Sequence, residues 1–248
     1  MKTFFTIIII LFTSAASAQN LKKKTVNNDE TGIVEKFTVL RENEEIKQGK
    51  YELYRIHDPL ILLCTGFYKN NLKDSLWTYY ARNGSAIASG SYKDGLKIGI
   101  WYGIGTDKNV EVKYDYTNKK LIFYSPKHLD TIKEYYVIKG TDTVYTKLSQ
   151  EPIFLGGSAL VNQSLYSTIK FPVSAFLHHI QGRVVVAFTI NDKGIMSNYR
   201  VKYGLGYGCD EEALKNVKNI QGDWLPGMLD GKPITCEYML SIAFKVGS

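Results

Sequence analysis

A β-hairpin at the centre of the second half is encoded by residues 181–203, which read QGRVVVAFTINDKGIMSNYRVKY. In residues 183–190 apolar side chains fall on every second position and therefore share one face of an extended segment. They are Val184, Val186, Phe188 and Ile190. The Asn-Asp-Lys-Gly sequence at 191–194 is typical of a tight turn, after which residues 195–203 return as a second strand.

Helices and a further strand surround this hairpin. Before it, apolar residues at four-residue spacing predict one helix, and residues 175–178 predict a short helical stretch. The apolar stripe consists of Val161, Leu165 and Ile169. After the hairpin, residues 210–219 predict a helix whose acidic first turn suits its positive end, and residues 234–246 predict the last strand. This order predicts an α+β domain with two helices and a three-stranded antiparallel sheet.

The marks of a known family occur along this half. They are Phe154-x-Gly156-Gly157, Phe171-Pro172 with Ala175, Gln181-Gly182-x-Val184, Asp192-x-Gly194, Asp210-Glu211-x-Ala213-Leu214, Trp224-x-Pro226-Gly227, Gly231-Lys232-Pro233 and Ile242-x-Phe244. Through these residues, positions from about 150 to 246 resemble the C-terminal domain of TonB proteins, in the form common in Bacteroidetes-type bacteria. The resemblance runs without a long gap.

The resemblance implies that this domain binds another protein in the periplasm. In the family, the domain holds a short segment of an outer-membrane TonB-dependent receptor by adding it as a strand to a sheet edge. Carried over, the edge is the last strand, and the implied partner-binding residues are Cys236, Glu237, Tyr238, Met239, Leu240, Ser241 and Ile242. Proline at Tyr238 or Leu240 is expected to remove a strand donor and weaken a bound partner. The implied partner is such a receptor or another envelope protein, and sheet edges also allow a homodimer.

The chain departs from the energy transducer of this family in two respects. It has only six prolines, so it lacks the long proline-rich spacer, and we interpret its first residues as a signal peptide and not as the family's retained transmembrane anchor. The resemblance therefore supports partner binding rather than direct energy transduction. The alternative function is that of a secreted envelope scaffold or interaction protein that is not coupled to transport.

The first half contains a repeat. The segment Gly66-Phe67-Tyr68-Lys69 returns as Gly90-Ser91-Tyr92-Lys93, an offset of 24 residues, and Trp77 and Trp101 follow at the same offset. Each unit predicts two short strands joined by a tight turn, at Asn70-Asn71 or Asp94-Gly95. Over residues 49–104 the pattern resembles MORN-like repeats, and the residues that carry it are Gly66, Tyr68, Asn71, Trp77 and Tyr79.

Further strands follow the repeat, at residues 110–116, 121–124, 133–139 and 143–147, so the first half is predicted to be mostly β. A single hairpin is marginal in water, and neighbouring units must therefore pair edge to edge and bury their Tyr and Trp faces together. The aromatic residues would then form the core of a thin sheet. The alternative is a platform that binds sugars or peptides.

The first residues indicate export. A basic start at Lys2, an apolar run and a small-residue site at Ala16-Ser17-Ala18 are typical of a signal peptide. As a helix, the apolar stretch would cover roughly 22 Å of a hydrocarbon core about 30 Å thick, and an uncleaved membrane anchor is the alternative. We predict a signal peptide at residues 1–18, a β-hairpin repeat domain at 19–148 and a TonB C-terminal-like domain at 149–248. The predicted location is the periplasm or cell envelope.

Catalytic and metal-binding patterns are weak in this sequence. His178-His179 has no third ligand at a useful spacing, and Gly204-x-Gly206-x-Gly208 is not a nucleotide-binding GxGxxG. No GxSxG elbow pairs a nucleophile with a base. We therefore predict a non-enzymatic protein with no catalytic residues, no metal ligands and no cofactor.

Charge and cysteine content restrict the partners further. The formal net charge of +7 comes from lysines spread along an exported chain, so no nucleic-acid partner is predicted. The three cysteines, Cys64, Cys209 and Cys236, allow at most one disulfide. Cys209 and Cys236 are the pair to consider, and three buried free thiols are the alternative.

Overall fold

The computed structural model describes residues 20–29, 31–56, 59–125, 134–166 and 169–245. In these residues the chain forms two large antiparallel sheets, a small two-stranded sheet and three helices. The predicted signal peptide at residues 1–18 lies outside the described part. Among the helices that are described, none is long and apolar enough to cross a membrane.

The first sheet has nine strands in the order in which they follow along the chain. They are β1 (Leu21–Asn28), β2 (Ile33–Leu40), β3 (Lys47–Arg55), β4 (Ile61–Lys69), β5 (Leu72–Tyr80), β6 (Ala86–Lys93), β7 (Leu96–Ile104), β8 (Val110–Asp115) and β9 (Lys120–Tyr124). Each neighbouring pair is antiparallel. The predicted hairpin-rich, mostly β first half is therefore confirmed, whereas the assignment of its units to MORN-like repeats stays a prediction.

The repeat of 24 residues places a tryptophan over a glycine of the preceding strand. A Cβ atom on Gly66 would lie 2.2 Å from the indole of Trp77, and one on Gly90 would lie 2.1 Å from the indole of Trp101. Each indole N–H also donates to a backbone carbonyl, at 3.1 Å in both units. Only glycine leaves space for the ring, so glycine and tryptophan recur together.

A continuous row of aromatic rings covers one face of this sheet. Successive ring centroids lie 5.0 to 6.0 Å apart along Tyr51, Trp77, Tyr92, Trp101 and Tyr116. Trp77 and Trp101 are buried. The aromatic residues of the repeat therefore form a core along the sheet, because edge-to-face contacts of this kind bury large apolar area.

The second sheet has six strands and lies in the second half of the chain. Its elements, with the helices and short strands around it, are β10 (Glu134–Lys139), β11 (Asp142–Lys147), β12 (Ile153–Phe154), α1 (Ser158–Tyr166), α2 (Val173–Leu177), β13 (Gly182–Ile190), β14 (Met196–Tyr203), α3 (Cys209–Lys218), β15 (Trp224–Leu225), β16 (Gly227–Leu229) and β17 (Lys232–Phe244). The order is β11-β10-β17-β13-β14, and β16 also pairs with β17. The predicted α+β class is confirmed.

The sheet is larger than predicted, because the three-stranded core of β14, β13 and β17 gains additional strands. The β10–β11 hairpin, which its position in the sequence groups with the first half, pairs with β17 at Val137–Cys236 and Ile138–Thr235. The described residues contain the two predicted helices, α1 and α3, and the short helical stretch predicted at residues 175–178 forms the third helix, α2. Pairing between strands about a hundred residues apart leaves no mark in local periodicity. The domain boundary at 148 itself stays a prediction.

All three helices contribute to the core above the second sheet. The predicted strand face is fully buried, at 0% exposure for Val184, Val186, Phe188 and Ile190. It packs with Val161 and Leu165 of α1, Ala175 of α2, and Ala213 and Val217 of α3. The apolar spacing seen in the sequence therefore marks the faces that meet in this core.

The cysteines are free thiols, and all three are buried. Cys209 and Cys236 are not joined in this structure. Burial raises the pKa of the Cys236 thiol to about 11 and that of Cys64 to about 12. These two thiols therefore stay protonated near neutral pH, where a thiolate would be needed for reaction.

The first sheet touches the second half through a close backbone contact. A Cβ atom on Gly103 of β7 would lie 2.6 Å from the Gly156–Gly157 backbone. Beside it, the Glu111 carboxylate accepts hydrogen bonds from the Ser158 N–H at 2.8 Å and from the Ser158 hydroxyl at 2.5 Å. Glu111 thus binds the start of α1, where an acidic group is favoured.

A second contact joins the halves through Asp223. Its carboxylate accepts hydrogen bonds from Lys97 at 2.8 Å and from the Tyr116 hydroxyl at 2.7 Å. Burial opposes the negative charge, but the hydrogen bond and positive charge of Lys97, together with the Tyr116 hydroxyl, hold the pKa of Asp223 below its usual value. Asp223 therefore connects the loop before β15 to the aromatic face of the first sheet.

Candidate partner-binding edge

Strand β17 has different neighbours along its two sides. Its inner side pairs with β13 from Cys236–Ile190 to Phe244–Gly182. Its first residues, Lys232 to Ile234, pair with β16. On the outer side, away from β13, it pairs with β10 at Thr235 and Cys236. Beyond Cys236, no strand in the described ranges is in register with the outer side. The stretch from Met239 to Ala243 on this side is called the outer edge below.

A side chain caps one end of the outer edge. The Ala243 N–H donates to the hydroxyl of Tyr166, the last residue of α1, at 3.2 Å. Because main-chain groups alternate between the two sides of a strand, the N–H groups of Ser241 and Met239 face the same way as that of Ala243. The N–H groups of Leu240 and Ile242 face β13.

The predicted site residues differ in what their side chains do. Ile242 is fully buried in the core, and Tyr238 and Leu240 pack against the same core. Cys236 is also fully buried, with β13 on one side and β10 on the other. These apolar side chains stabilise the domain, so a strand added at the outer edge would meet mainly the backbone of β17.

The opposite face of β17 is polar. Glu237 is only 6% exposed, and its carboxylate pairs with Arg200 and with Lys202, the latter at 2.9 Å. Hydrogen bonding to Glu237 raises the pKa of Lys202. Further along this face, Arg183 donates to the Ser241 hydroxyl at 3.0 Å. Glu237 thus joins β17 to β14 across β13 and is not free for a partner.

Sequence reasoning missed two residues of the outer edge. Ala243 lies one position beyond the predicted set, although strand alternation from Met239 and Ser241 points to it. Tyr166 has no signal in the sequence, since its role depends on the end of α1 meeting a strand 77 residues away. The structure thus centres the candidate edge on Met239, Ser241 and Ala243.

The enzyme-like patterns have structural explanations. The Asp210 carboxylate accepts the N–H groups of Leu205 and Gly206, at 2.7 and 3.2 Å. A Cβ on Gly204 would lie 2.2 Å from this carboxylate. The glycines therefore let the loop fold over an acidic group, which is the opposite of a phosphate site. In the residues described, no group of three or more His, Cys, Asp or Glu side chains is placed to hold a metal ion.

The second half thus defines a small α+β domain in which helices cover one face of an antiparallel sheet. Residues 167–246 match the family model for the C-terminal domain of the Gram-negative bacterial TonB protein. A search of curated proteins finds no match to the chain. The matched segment contains β13, β14, α3 and β17, whereas α1 with Tyr166 and the β10–β11 hairpin precede it.

The match over residues 167–246 supports a TonB-like domain that takes part in transport-related interactions in the cell envelope. The family is one of energy-transduction and interaction domains, and it is not a family of enzymes. Domains of this family interact in general with outer-membrane TonB-dependent receptors.

Proposed function

We propose that this protein binds an extended segment of an outer-membrane TonB-dependent receptor and thereby takes part in transport across the outer membrane. The segment would add as a strand to the outer edge of β17, between Met239 and Ala243. The observation that carries the proposal is the Ala243 N–H, which donates to a side-chain hydroxyl and not to a neighbouring strand.

The geometry of the edge supports a short added strand. Outward N–H groups at Met239, Ser241 and Ala243 supply main-chain donors, each bond being worth about 0.5–1.5 kcal/mol net. The β10 strand occupies the outer side at Thr235 and Cys236 and would limit the incoming segment at that end. Main-chain bonds would provide affinity, while the Met239 side chain would contribute selectivity.

The remaining parts of the chain fit this proposal. The signal peptide predicted at residues 1–18 would place the protein in the periplasm. The first sheet, which we interpret as MORN-like hairpin units, stands where the energy transducers of the family carry a spacer. A homodimer through sheet edges is the competing use of the same outer edge, because a second β17 could also pair there.

The test uses proline at position 241. Ser241→Pro removes an outward N–H and leaves the bonds to β13 in place, since proline is tolerated where the N–H faces away from the sheet. Ser241→Ala is the matched control, because it removes the hydroxyl and keeps the N–H. Proline at Tyr238 or Leu240, the positions that the sequence suggests for this test, is unsuitable, because the N–H groups of these residues face β13 and proline there would damage the fold.

Binding is measured by fluorescence anisotropy with a labelled peptide that carries the extended receptor segment. We expect Ser241→Pro to weaken binding at least about tenfold, through the lost bond and the proline ring that blocks approach, and Ser241→Ala to bind like the wild type. Unchanged binding by a folded Ser241→Pro variant would contradict strand addition. A wild-type chain that ignores the peptide but retains other envelope proteins would instead support the scaffold function.

A further inference from the structure

A cleft of about 730 Å³ lies between the two halves of the protein. Its floor is the aromatic face of the first sheet, including Tyr92 and Trp101, and its roof is formed by α1 and residues 221–223. Clefts of this size that combine apolar walls with a few polar groups are typical of small-molecule sites. Most of the cleft wall lies outside the segment that matches the TonB C-terminal family.

The floor presents two lysines that differ in their partners. Lys97 is paired with Asp223 at 2.8 Å. The Lys73 ammonium donates to the Tyr79 hydroxyl at 3.4 Å and lies 4.2 Å from the centre of the Trp77 ring, and in the described part of the chain it has no carboxylate partner. Burial, together with the positive charge of Lys97, lowers the pKa of Lys73. The charged groups of the cleft thus carry one positive charge that no carboxylate balances.

The roof supplies a polar group without a partner. Gln163 of α1 lines the cleft, and its side-chain oxygen is buried with no hydrogen bond to any residue that the structure describes. A buried acceptor of this kind costs about 1–3 kcal/mol when it is left unsatisfied. A ligand with a hydroxyl or amine donor would satisfy it.

We propose that this cleft binds a small planar organic acid. The carboxylate would pair with Lys73, the flat apolar body would lie against the rings of Tyr92 and Trp101, and a donor group would reach Gln163. The two rings are largely buried, with centroids 5.0 Å apart, and the ligand would contact the parts of them that line the cleft. The ammonium groups of Lys73 and Lys97 lie beside it, 5.2 Å from the centre of the Tyr92 ring and 4.8 Å from that of Trp101. The site is independent of the outer edge of β17.

The probe for this site is indole-3-carboxylate, with the uncharged indole-3-carboxamide as its isostere. Calorimetric titration of the full chain is expected to show at least about tenfold tighter binding of the carboxylate, because a charge-assisted bond to Lys73 is available only to the acid. Lys73→Met is expected to abolish this preference. Lys113→Met is the matched control, since Lys113 also lies over aromatic rings, at 5.6 Å from Tyr102, but does not line the cleft.

A second variant covers the case in which Lys73→Met fails to fold. Ser164→Phe fills the cleft from the roof, leaves Lys73 in the sequence and is expected to abolish binding of both probes. Equal affinity for the two probes, no saturable binding of the carboxylate below about 10 mM, or the same loss in Lys113→Met as in Lys73→Met would each overturn the proposal. Unchanged binding by Ser164→Phe would likewise place the ligand elsewhere.

Discussion

Replacing Gly90 by alanine tests the packing unit of the repeat. The added Cβ would lie 2.1 Å from the Trp101 indole, whereas ordinary contact begins near 3.4 Å, so the buried ring must move by more than an ångström. Such overpacking costs about 1–3 kcal/mol. The shift also breaks the bond from the indole N–H to the Ser91 carbonyl, which is worth about 0.5–1.5 kcal/mol. We expect a total loss of about 2–4 kcal/mol in the free energy of unfolding.

Urea denaturation followed by far-UV circular dichroism measures this loss. With a slope of about 2 kcal/mol per molar, the midpoint for the first sheet should fall by about 1–2 M. Gly84→Ala is the control, because its φ of +81° carries a backbone cost while no atom lies within 4 Å of the added Cβ. That variant should lose only about 1–2 kcal/mol.

A double-mutant cycle separates the steric cause from any other. In a Trp101→Leu background the indole is absent, so Gly90→Ala should cost less than about 1 kcal/mol there. If Gly90→Ala costs the same in both backgrounds, the reasoning from the ring contact is refuted. The same logic applies to Gly66 with Trp77, which repeats the geometry one unit earlier.

Two further predictions concern the contact between the halves and the outer edge. Asp223→Asn should weaken the contact to Lys97 and Tyr116 by no more than about 1 kcal/mol, since the side chain is half exposed. Because the pKa of Asp223 is lowered in the folded protein, the stability difference between Asp223→Asn and the wild type should be present at pH 7 and shrink as the pH falls below about 4. An equal difference in urea midpoint at pH 7 and at pH 3 would contradict this reasoning. Tyr166→Phe removes the hydroxyl that competes for the Ala243 N–H. Peptide binding in the anisotropy assay should therefore become about two- to tenfold tighter. Weaker binding would show that Tyr166 contacts the peptide instead.

Local patterns in the sequence predicted much of the fold. The alternation from Val184 to Ile190 marked a strand face that is fully buried. The recurrence of Gly66 and Trp77 at Gly90 and Trp101 marked hairpins that pair side by side. In each case the signal works because neighbouring residues share one secondary structure, whose periodicity decides which side chains meet.

The candidate sites were predicted less completely. The last strand was identified, but its seven proposed residues were not separated into those whose backbone N–H faces outward and those whose N–H faces β13. That separation rests on the contact of Ala243 with Tyr166, which no periodicity encodes. The cleft around Lys73 was not predicted either, since its floor and roof come from halves that are distant in the sequence.

The sequence by itself determined most of the strands and helices, which of their faces are apolar, and that glycine and tryptophan recur at 24 residues. Only the tertiary structure decided that the β10–β11 hairpin joins β17, that Tyr166 caps the outer edge, and that Lys73 faces a cleft between the two halves. The physical reason is that local periodicity fixes dihedral angles and side-chain faces. Contacts between distant segments depend instead on strand register and on loop closure. Local periodicity is compatible with many registers and many loop closures, so it does not select one of them.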